Sequence, residues 1–447
     1  MSFGDIFAVL IILIPGAASV LYRSRIKQAS VAAASADLVI AGIMYFERPQ
    51  VGFFFVQDST MVFIIMVLSV YLLSTIYSTR YLRGIEIMGI SEPSYYFLMN
   101  LFTVSMLFSL EVNNYGLMWV GIEATTISSA LLLITEKTET SLEATWRYII
   151  IVSAGVTFAF ISIILIYYTL GTLSVSSAIV SHVHSSIMVL AVSLALIGFG
   201  TKVGVFPVHT WLPDAHSEAP SPVSAMFSGV LLPTALYVLY RVYEIEPVTQ
   251  LYVWFAVISI VAASIFMGYQ VRYKRMFAYS TMENMNLALL GLAAGGPLGL
   301  TGALLLLLSH SFGKAGAFYS SGNILRFTGK KKISEVNGMA SSMPYTSASL
   351  LMSSLAVTGA PPFGTFFGEF LILADVLSLH MYAPFIIVVI FLVTAFISVN
   401  YNVTGMIFSG KSPKMETDPL MSSLSILSSV LPLLIGILYL VVYVEAL

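Results

Sequence analysis

Cysteine is absent from the 447 residues, and Asp, Glu, Lys and Arg together make up only 9% of them. Without cysteine the chain forms no disulfide, ligates no iron–sulfur cluster through thiolates and has no thiol nucleophile. A soluble domain carries about 25% charged residues, so so few charges exclude an ordinary water-soluble fold. The net charge of −2 argues against a nucleic-acid partner. No phosphate-binding glycine loop, dinucleotide fingerprint or haem-attachment motif occurs. What fills the chain is apolar: 58% of the residues are hydrophobic. Strands of a membrane barrel would alternate in polarity. These runs do not, and the sequence reads as an all-α polytopic membrane protein.

A bilayer-crossing helix needs roughly 20 apolar residues. Fourteen stretches qualify, at about 3–21, 31–46, 60–80, 94–110, 114–135, 143–169, 186–206, 221–241, 249–270, 276–294, 298–324, 347–376, 383–408 and 423–445. The second is the shortest. Residues 3–21 could pass for a signal peptide, but they lack a basic leader and many spans follow, so they are read as the first span. The basic residues test the count. Arg23, Arg25 and Lys27, Arg80 and Arg83, Lys137, Arg272, Lys274 and Arg275, Arg326 and Lys330–Lys332, and Lys411 and Lys414 all follow odd-numbered spans, 15 of the 20 Lys and Arg. Only Arg48 and Arg241 follow even ones. Basic loops face the cytoplasm, so both termini are expected on the outer face of the cell membrane.

Three basic residues remain, Arg147, Lys202 and Lys314, inside spans 6, 7 and 11. A lysine at membrane depth costs about 3 kcal/mol on insertion scales. Glu123, Glu143, Glu283, Glu369 and Asp375 also fall within spans, and Asp37 within the second. For Glu143, Glu283 and Arg147, near span ends, a snorkelling or structural ion pair explains the charge. Glu123, Lys202, Lys314 and Glu369 have apolar neighbours on both sides and resist that explanation. Arg147 to Lys314 and Lys202 to Glu369 are both 167 residues. Pro207 follows Lys202, and Pro361 and Pro362 precede Glu369; such prolines break helices. Spans 4–8 and 9–13 therefore read as two copies of a five-helix unit. Five is odd, so the copies are inverted, as in transporters with sites near the bilayer midplane. The expected organisation is residues 1–90 (spans 1–3), 91–245 (first repeat), 246–410 (second repeat) and 411–447 (span 14).

An ammonium taken out of water gives up its proton more readily, and a nearby carboxylate opposes that. Glu123 with Lys202 would be such a pair if spans 5 and 7 pack together, and Lys314 with Glu369 would serve the second repeat. His310, four residues before Lys314 on one helix face, can pass protons. Arg147 cannot release its proton and only biases neighbours. His182 and His184 lack further ligands nearby and read as loop residues. His209, Asp214 and His216 could suggest a metal or catalytic cluster, but two prolines and a tryptophan in that polar turn favour closing a broken helix.

The run KVGVFPVHTWLPDAHSEAPSPVSA at 202–225 resembles the signature of the antiporter-like membrane subunits of respiratory complex I, membrane-bound hydrogenases and multi-subunit cation/proton antiporters. WVGIEATTISSALLL around Glu123, LEATWRY at 142–148, KRMFAYSTMENM at 274–285, SHSFGKA at 309–315 and GAPPFGTFFGEFLIL at 359–373 extend the likeness over spans 4 to 13 in order. The resemblance implies fourteen helices, two inverted five-helix repeats and a chain of buried charges. It assigns Glu123 and Lys202 as the coupled pair, Lys314 with His310 as the link, and Glu369 as the terminal group. Arg147, Glu143, His209, Pro207 and Pro362 are expected in support. Many members carry a lysine or histidine in span 8, where Ser228 and Pro233 stand here, and Arg147 replaces a common lysine. Glu369 instead of lysine points to an inner subunit. The implied role is a proton-translocating subunit of a redox-driven pump, without a redox or catalytic centre of its own. Iron–sulfur and quinone or hydrogenase centres are then expected in partner subunits. The rival roles are a subunit of a Na+/H+ antiporter without redox coupling, and an inert structural segment.

Overall fold

The computed structural model describes residues 3–21, 25–50, 52–83, 85, 89–181, 183–415 and 417–445. Arg23 and His182 lie outside them. Among the described residues the only β contacts are two isolated bridges, Phe54 with Val112 and Arg272 with Lys332. Everything else regular is helical. The α-helices in chain order are α1 (Phe3–Leu21), α2 (Ile26–Met44), α3 (Asp58–Tyr81), α4 (Glu92–Glu111), α5 (Tyr115–Leu133), α6 (Glu139–Leu170), α7 (Val175–Ile179), α8 (Ser186–Val203), α9 (Trp211–Glu218) and α10 (Ser221–Met226). After a π-helical turn (Phe227–Leu231) come α11 (Leu232–Tyr243), α12 (Thr249–Gly268), α13 (Tyr273–Ala294), α14 (Gly299–Thr328), α15 (Met339–Ser342), α16 (Pro344–Val357), α17 (Gly364–Ser378), α18 (Tyr382–Phe408) and α19 (Pro419–Glu445).

Among the described residues ten helical stretches are long and apolar enough to cross a bilayer, α10 to α11 being taken as one. Helices α4, α13 and α14 fall outside that set because they carry more polar residues, and α16 and α17 because each is short. The starts of α5, α6 and α8 are set by side-chain caps that satisfy free N–H groups of the first turn. Asn114 accepts from the Leu117 amide at 3.1 Å and Ser185 from the Met188 amide at 3.1 Å. Thr138 and Ser141 cap α6 reciprocally.

The chain divides into two compact units. The first comprises residues up to Trp211 together with Glu218–Val223 and Val230–Leu251. The second comprises Leu212–Ser217, Ser224–Gly229 and everything from Tyr252 onward. In the first, α6 packs along α8, and α4 against α5. Gly155 faces the Thr201 side chain and Gly198 faces the Ala159 backbone so closely that a Cβ at either glycine would collide. These small residues bring α6 against α8. In the second unit α14 is the hub, packed on α13, α16, α17 and α19.

Two helices are interrupted where the sequence has prolines. The first break does not begin at Pro207: α8 ends at Val203, with Gly204 in the left-handed region (φ 91°). The amides of Gly204 and Val205 both bond the Gly200 carbonyl, at 2.9 and 2.8 Å. Glycine caps helices this way because it lacks the Cβ that strains positive φ. The polar stretch expected as a turn forms α9 instead, anchored by the Trp211 indole N–H on the Thr201 carbonyl at 2.8 Å. The second break, Thr358–Phe363, separates α16 from α17 and holds Pro361 and Pro362, with Gly359 at φ 67°.

Candidate functional site

In each unit a lysine with no exposed surface, Lys202 or Lys314, donates to neutral oxygens. In the first unit Lys202, on the last turn of α8, is fully buried. Its ammonium donates to Thr126 Oγ1 at 2.7 Å and Tyr148 Oη at 2.9 Å. Tyr148, on α6, shares a hydrogen bond with Ser129 Oγ at 2.7 Å, and its ring rests on Trp211, centroids 4.8 Å apart. The α9 helix thus braces the tyrosine that holds the lysine. Glu123 stands one turn before Thr126 on α5. Its Oε1 accepts from Ser153 Oγ at 3.0 Å, and Oε2 has no hydrogen-bond partner among the described residues. Thr126, which accepts from Lys202, and Glu123 are thus three residues apart on α5.

In the second unit Lys314 is buried on α14 and donates to the Phe277 carbonyl at 3.0 Å and Ser280 Oγ at 2.7 Å, both on α13. Glu283 stands one turn after Ser280 on α13. The two lysines thus share a design: each donates to a hydroxyl that stands one turn from a carboxylate. Glu283 thus joins Lys314 and Glu369 among the buried charges of this unit. The sequence also misplaces Glu283 near a helix end. Helix α13 begins at Tyr273, so Glu283 lies at its middle and is 2% exposed. Asn284 bonds the Glu283 carboxylate at 2.6 Å and the Val357 carbonyl at 3.0 Å, which ties that carboxylate to the broken helix. The Glu369 carboxylate packs directly over Gly359, where a Cβ would strike it.

His310 is buried, and neither ring nitrogen closes a hydrogen bond among the described residues; the Ser228 carbonyl faces it. His216, from α9, was missed as a member of this cluster. Its ring stacks on Phe318, one turn beyond Lys314, with centroids 5.1 Å apart. Ser228, at a position where a lysine or histidine was expected, exchanges a 2.6 Å hydrogen bond with Thr281. Pro233 lies at the start of α11.

Other charges are structural. Glu143 and Arg147 form a 2.5 Å ion pair on an exposed face of α6, with side chains 61% and 56% exposed. Asp375 accepts the amides of Gly296 and Leu298 at 3.1 Å each, fixing the entry to α14. Asp214 pairs with Arg275, and His209 stacks on Phe206 with centroids 5.5 Å apart, so His209, Asp214 and His216 have separate neighbours. His184 bonds Glu246 at 2.7 Å. Among the described residues no group of three or more His, Asp or Glu could hold a metal ion.

Residues 112–398 match a family described as NADH:quinone oxidoreductase/Mrp antiporter, TM. A hydrogenase-4 component F homolog of Methylacidiphilum infernorum (isolate V4) is 34% identical over 355 residues, 74% of each chain. NADH-quinone oxidoreductase subunit N of Desulforudis audaxviator (strain MP104C) is 31% identical over 309 residues, 67% of this chain and 61% of that one. Hydrogenase-4 component B of Escherichia coli (strain K12) is 31% identical over 70% of this chain, which spans 49% of it. Among solved structures, a chain of the archaeal membrane-bound sulfane sulfur reductase superposes with TM-score 0.89 at 23% identity, covering 97% of this chain and 94% of that one. A chain of the Mrp complex from Dietzia sp. DQ12-45-1b superposes with TM-score 0.83 at 19% identity, covering 98% and 94%. A chain of Thermus thermophilus respiratory complex I also gives TM-score 0.83 at 19% identity, covering 97% of each.

Proposed function

From the premise that the chain belongs to the NADH:quinone oxidoreductase/Mrp antiporter transmembrane family, we propose that it is a proton-translocating membrane subunit of a redox-driven pump of the complex I or membrane-bound hydrogenase kind. Relatives and structural neighbours are membrane subunits of multi-subunit assemblies, and this chain takes its place in one. Protons move along an axis of titratable groups within the helices: Glu123 and Lys202, then Lys314 with His310, and Glu369 at the end. Iron–sulfur clusters and the quinone or hydrogenase centre belong to partner subunits. The chain crosses the cell membrane fourteen times, with both termini outside and two inverted five-helix repeats at residues 91–245 and 246–410, flanked by 1–90 and 411–447.

The observation that carries the reading is the pair of buried lysines, each held only by neutral acceptors while a carboxylate stands one turn away. A lysine so placed binds its proton more or less tightly as that carboxylate approaches or recedes. Redox work in the partners supplies the change of field. Arg147, Glu143, His209, Pro207 and Pro362 support the path by fixing α6 and the two breaks.

The test is Lys202→Ala in the assembled complex. Electron transfer should persist or slow while proton pumping per electron is lost, with the subunit still co-purifying with its partners. Pumping at the normal ratio would sink the proposal. Sodium-dependent flux in vesicles lacking any electron donor would instead favour the antiporter without redox coupling. Tolerance of joint substitution at Glu123, Lys202 and Glu369 would mark a structural segment.

A further inference from the structure

The second unit carries a groove of about 600 Å³ that the proton path does not use. It lies between the loop after α14 and the last two turns of α18. Ser334 and Asn337 stand on its loop side, and Tyr401, Thr404, Gly405 and Phe408 on its helix side. Tyr401, Gly405 and Phe408 follow one another at steps of four and three, so they share one face of α18. Tyr401 is 78% exposed and Phe408 62%. Between them, a Cβ at Gly405 would meet nothing within 4 Å. Two aromatic rings thus flank an open floor. The walls are tied in place. The Gly338 amide donates to the Ser409 carbonyl at 2.7 Å, the Ile333 amide to the Val271 carbonyl at 2.9 Å, and Ser412 Oγ to the Asn337 carbonyl at 3.0 Å.

The charge around this groove has one sign. Residues 330–338 and 401–412 hold Lys330, Lys331, Lys332 and Lys411 against a single acid, Glu335. Glu335 stands 3.6 Å from Lys332. Lys411 is exposed and enters no ion pair among the described residues. Asn337 Oδ1 accepts from Ser412 Oγ at 3.2 Å, which leaves its NH2 group to donate. Away from the lysines the groove follows α18, which has the smallest buried share of the ten long apolar stretches. Along its length the groove therefore offers cations, then a hydrogen-bond donor, then an apolar slot open to the side. A phospholipid with an anionic headgroup presents the matching order of charge, oxygen and chain. An apolar helix of a partner would leave the lysines without a counter-charge.

We propose that the groove seats one anionic phospholipid, with its phosphate beside Lys332 and Lys411 and an acyl chain over Gly405 between Tyr401 and Phe408. Lysines at the membrane surface attract anionic headgroups, and aromatic rings settle at headgroup level. A lipid held there would bridge the loop after α14 to the end of α18. The site is separate from Lys202 and Lys314, and it stands whether or not the pumping reading does.

The experiment is photo-crosslinking in the whole complex in its own membrane, with the adduct on this chain identified by mass. Phe408→benzoylphenylalanine probes the groove. Ile390→benzoylphenylalanine, at an exposed position of α18 outside it, is the control. The control should collect lipids in the proportions of the membrane. Position 408 should collect anionic phospholipid at several times its share. Adding Lys332→Gln/Lys411→Gln should lower that adduct about tenfold. Adding Gly405→Leu, which fills the floor, should remove it, with the adduct at 390 unchanged in both cases. Lipid at 408 in bulk proportion, an adduct with a partner subunit, no adduct at 408 beside a normal one at 390, or indifference to the lysine changes would overturn the proposal.

Discussion

Lys202 and Lys314 are each satisfied by neutral groups that cannot cancel their charge. A hydrogen bond to a charged group is worth about 1.5–3 kcal/mol, so removing one acceptor changes the balance between charged and neutral lysine by about tenfold or more. Thr126→Val keeps the shape and deletes the acceptor. It should slow turnover of the assembled complex about tenfold and move its pH profile, with subunit content unchanged. Ser280→Ala should do the same through Lys314. An unmoved pH profile in both would show that these hydroxyls do not set the proton affinity of the lysines. Lys202, Lys314, Glu123 and Glu369 were legible in the sequence because a lone charge in an apolar run has no bland explanation. Glu283 and His216 were not, because each sits in a polar stretch where a charge looks ordinary. Only the packing of α13 and α9 against α14 brings them to Lys314. The trace in the sequence was the spacing: Ser280 and Glu283 stand three apart, as Glu123 and Thr126 do.

At the scale of the element, the breaks decide where the charges point. The prolines marked both breaks, but glycines shape them, and a glycine cap is set by φ, which the sequence does not show. Gly359 and Gly171 have the same φ of 67°. A Cβ at Gly171 meets nothing within 4 Å, whereas at Gly359 it strikes the Glu369 carboxylate. Alanine at either position bears the left-handed strain, about 1–2 kcal/mol. Gly359→Ala alone displaces Glu369. Both variants should lower the melting temperature of the complex by a similar few degrees. Only Gly359→Ala should lower proton pumping per electron, and equal pumping in the two would show that Glu369 tolerates displacement.

Over the whole molecule, the missing cysteines become an advantage, since every introduced cysteine is the only thiol in the chain. Ten stretches meet the length and apolarity of a span, and α4, α13, α14 and the α16–α17 pair do not. The two counts place the same loops on different faces. With fourteen crossings and an outer N-terminus, Glu47 and Val180 lie outside, and Lys330 and Lys411 inside. If α4, α13, α14 and the α16–α17 pair did not cross, Val180 would follow five crossings and face inward, and Lys330 would follow eight and face outward. Glu47 and Lys411 would stay where they are. All four positions are exposed. The polar helices pack within the protein, where lipid does not test their composition: α14 is buried without a break from Ser309 to Ile324. A membrane-impermeant maleimide applied to sealed cells should therefore label cysteine at 47 and 180, and label cysteine at 330 and 411 only after lysis. Labelling at 330 but not 180 in sealed cells would put the ten-span arrangement in its place and remove the inverted repeats with it.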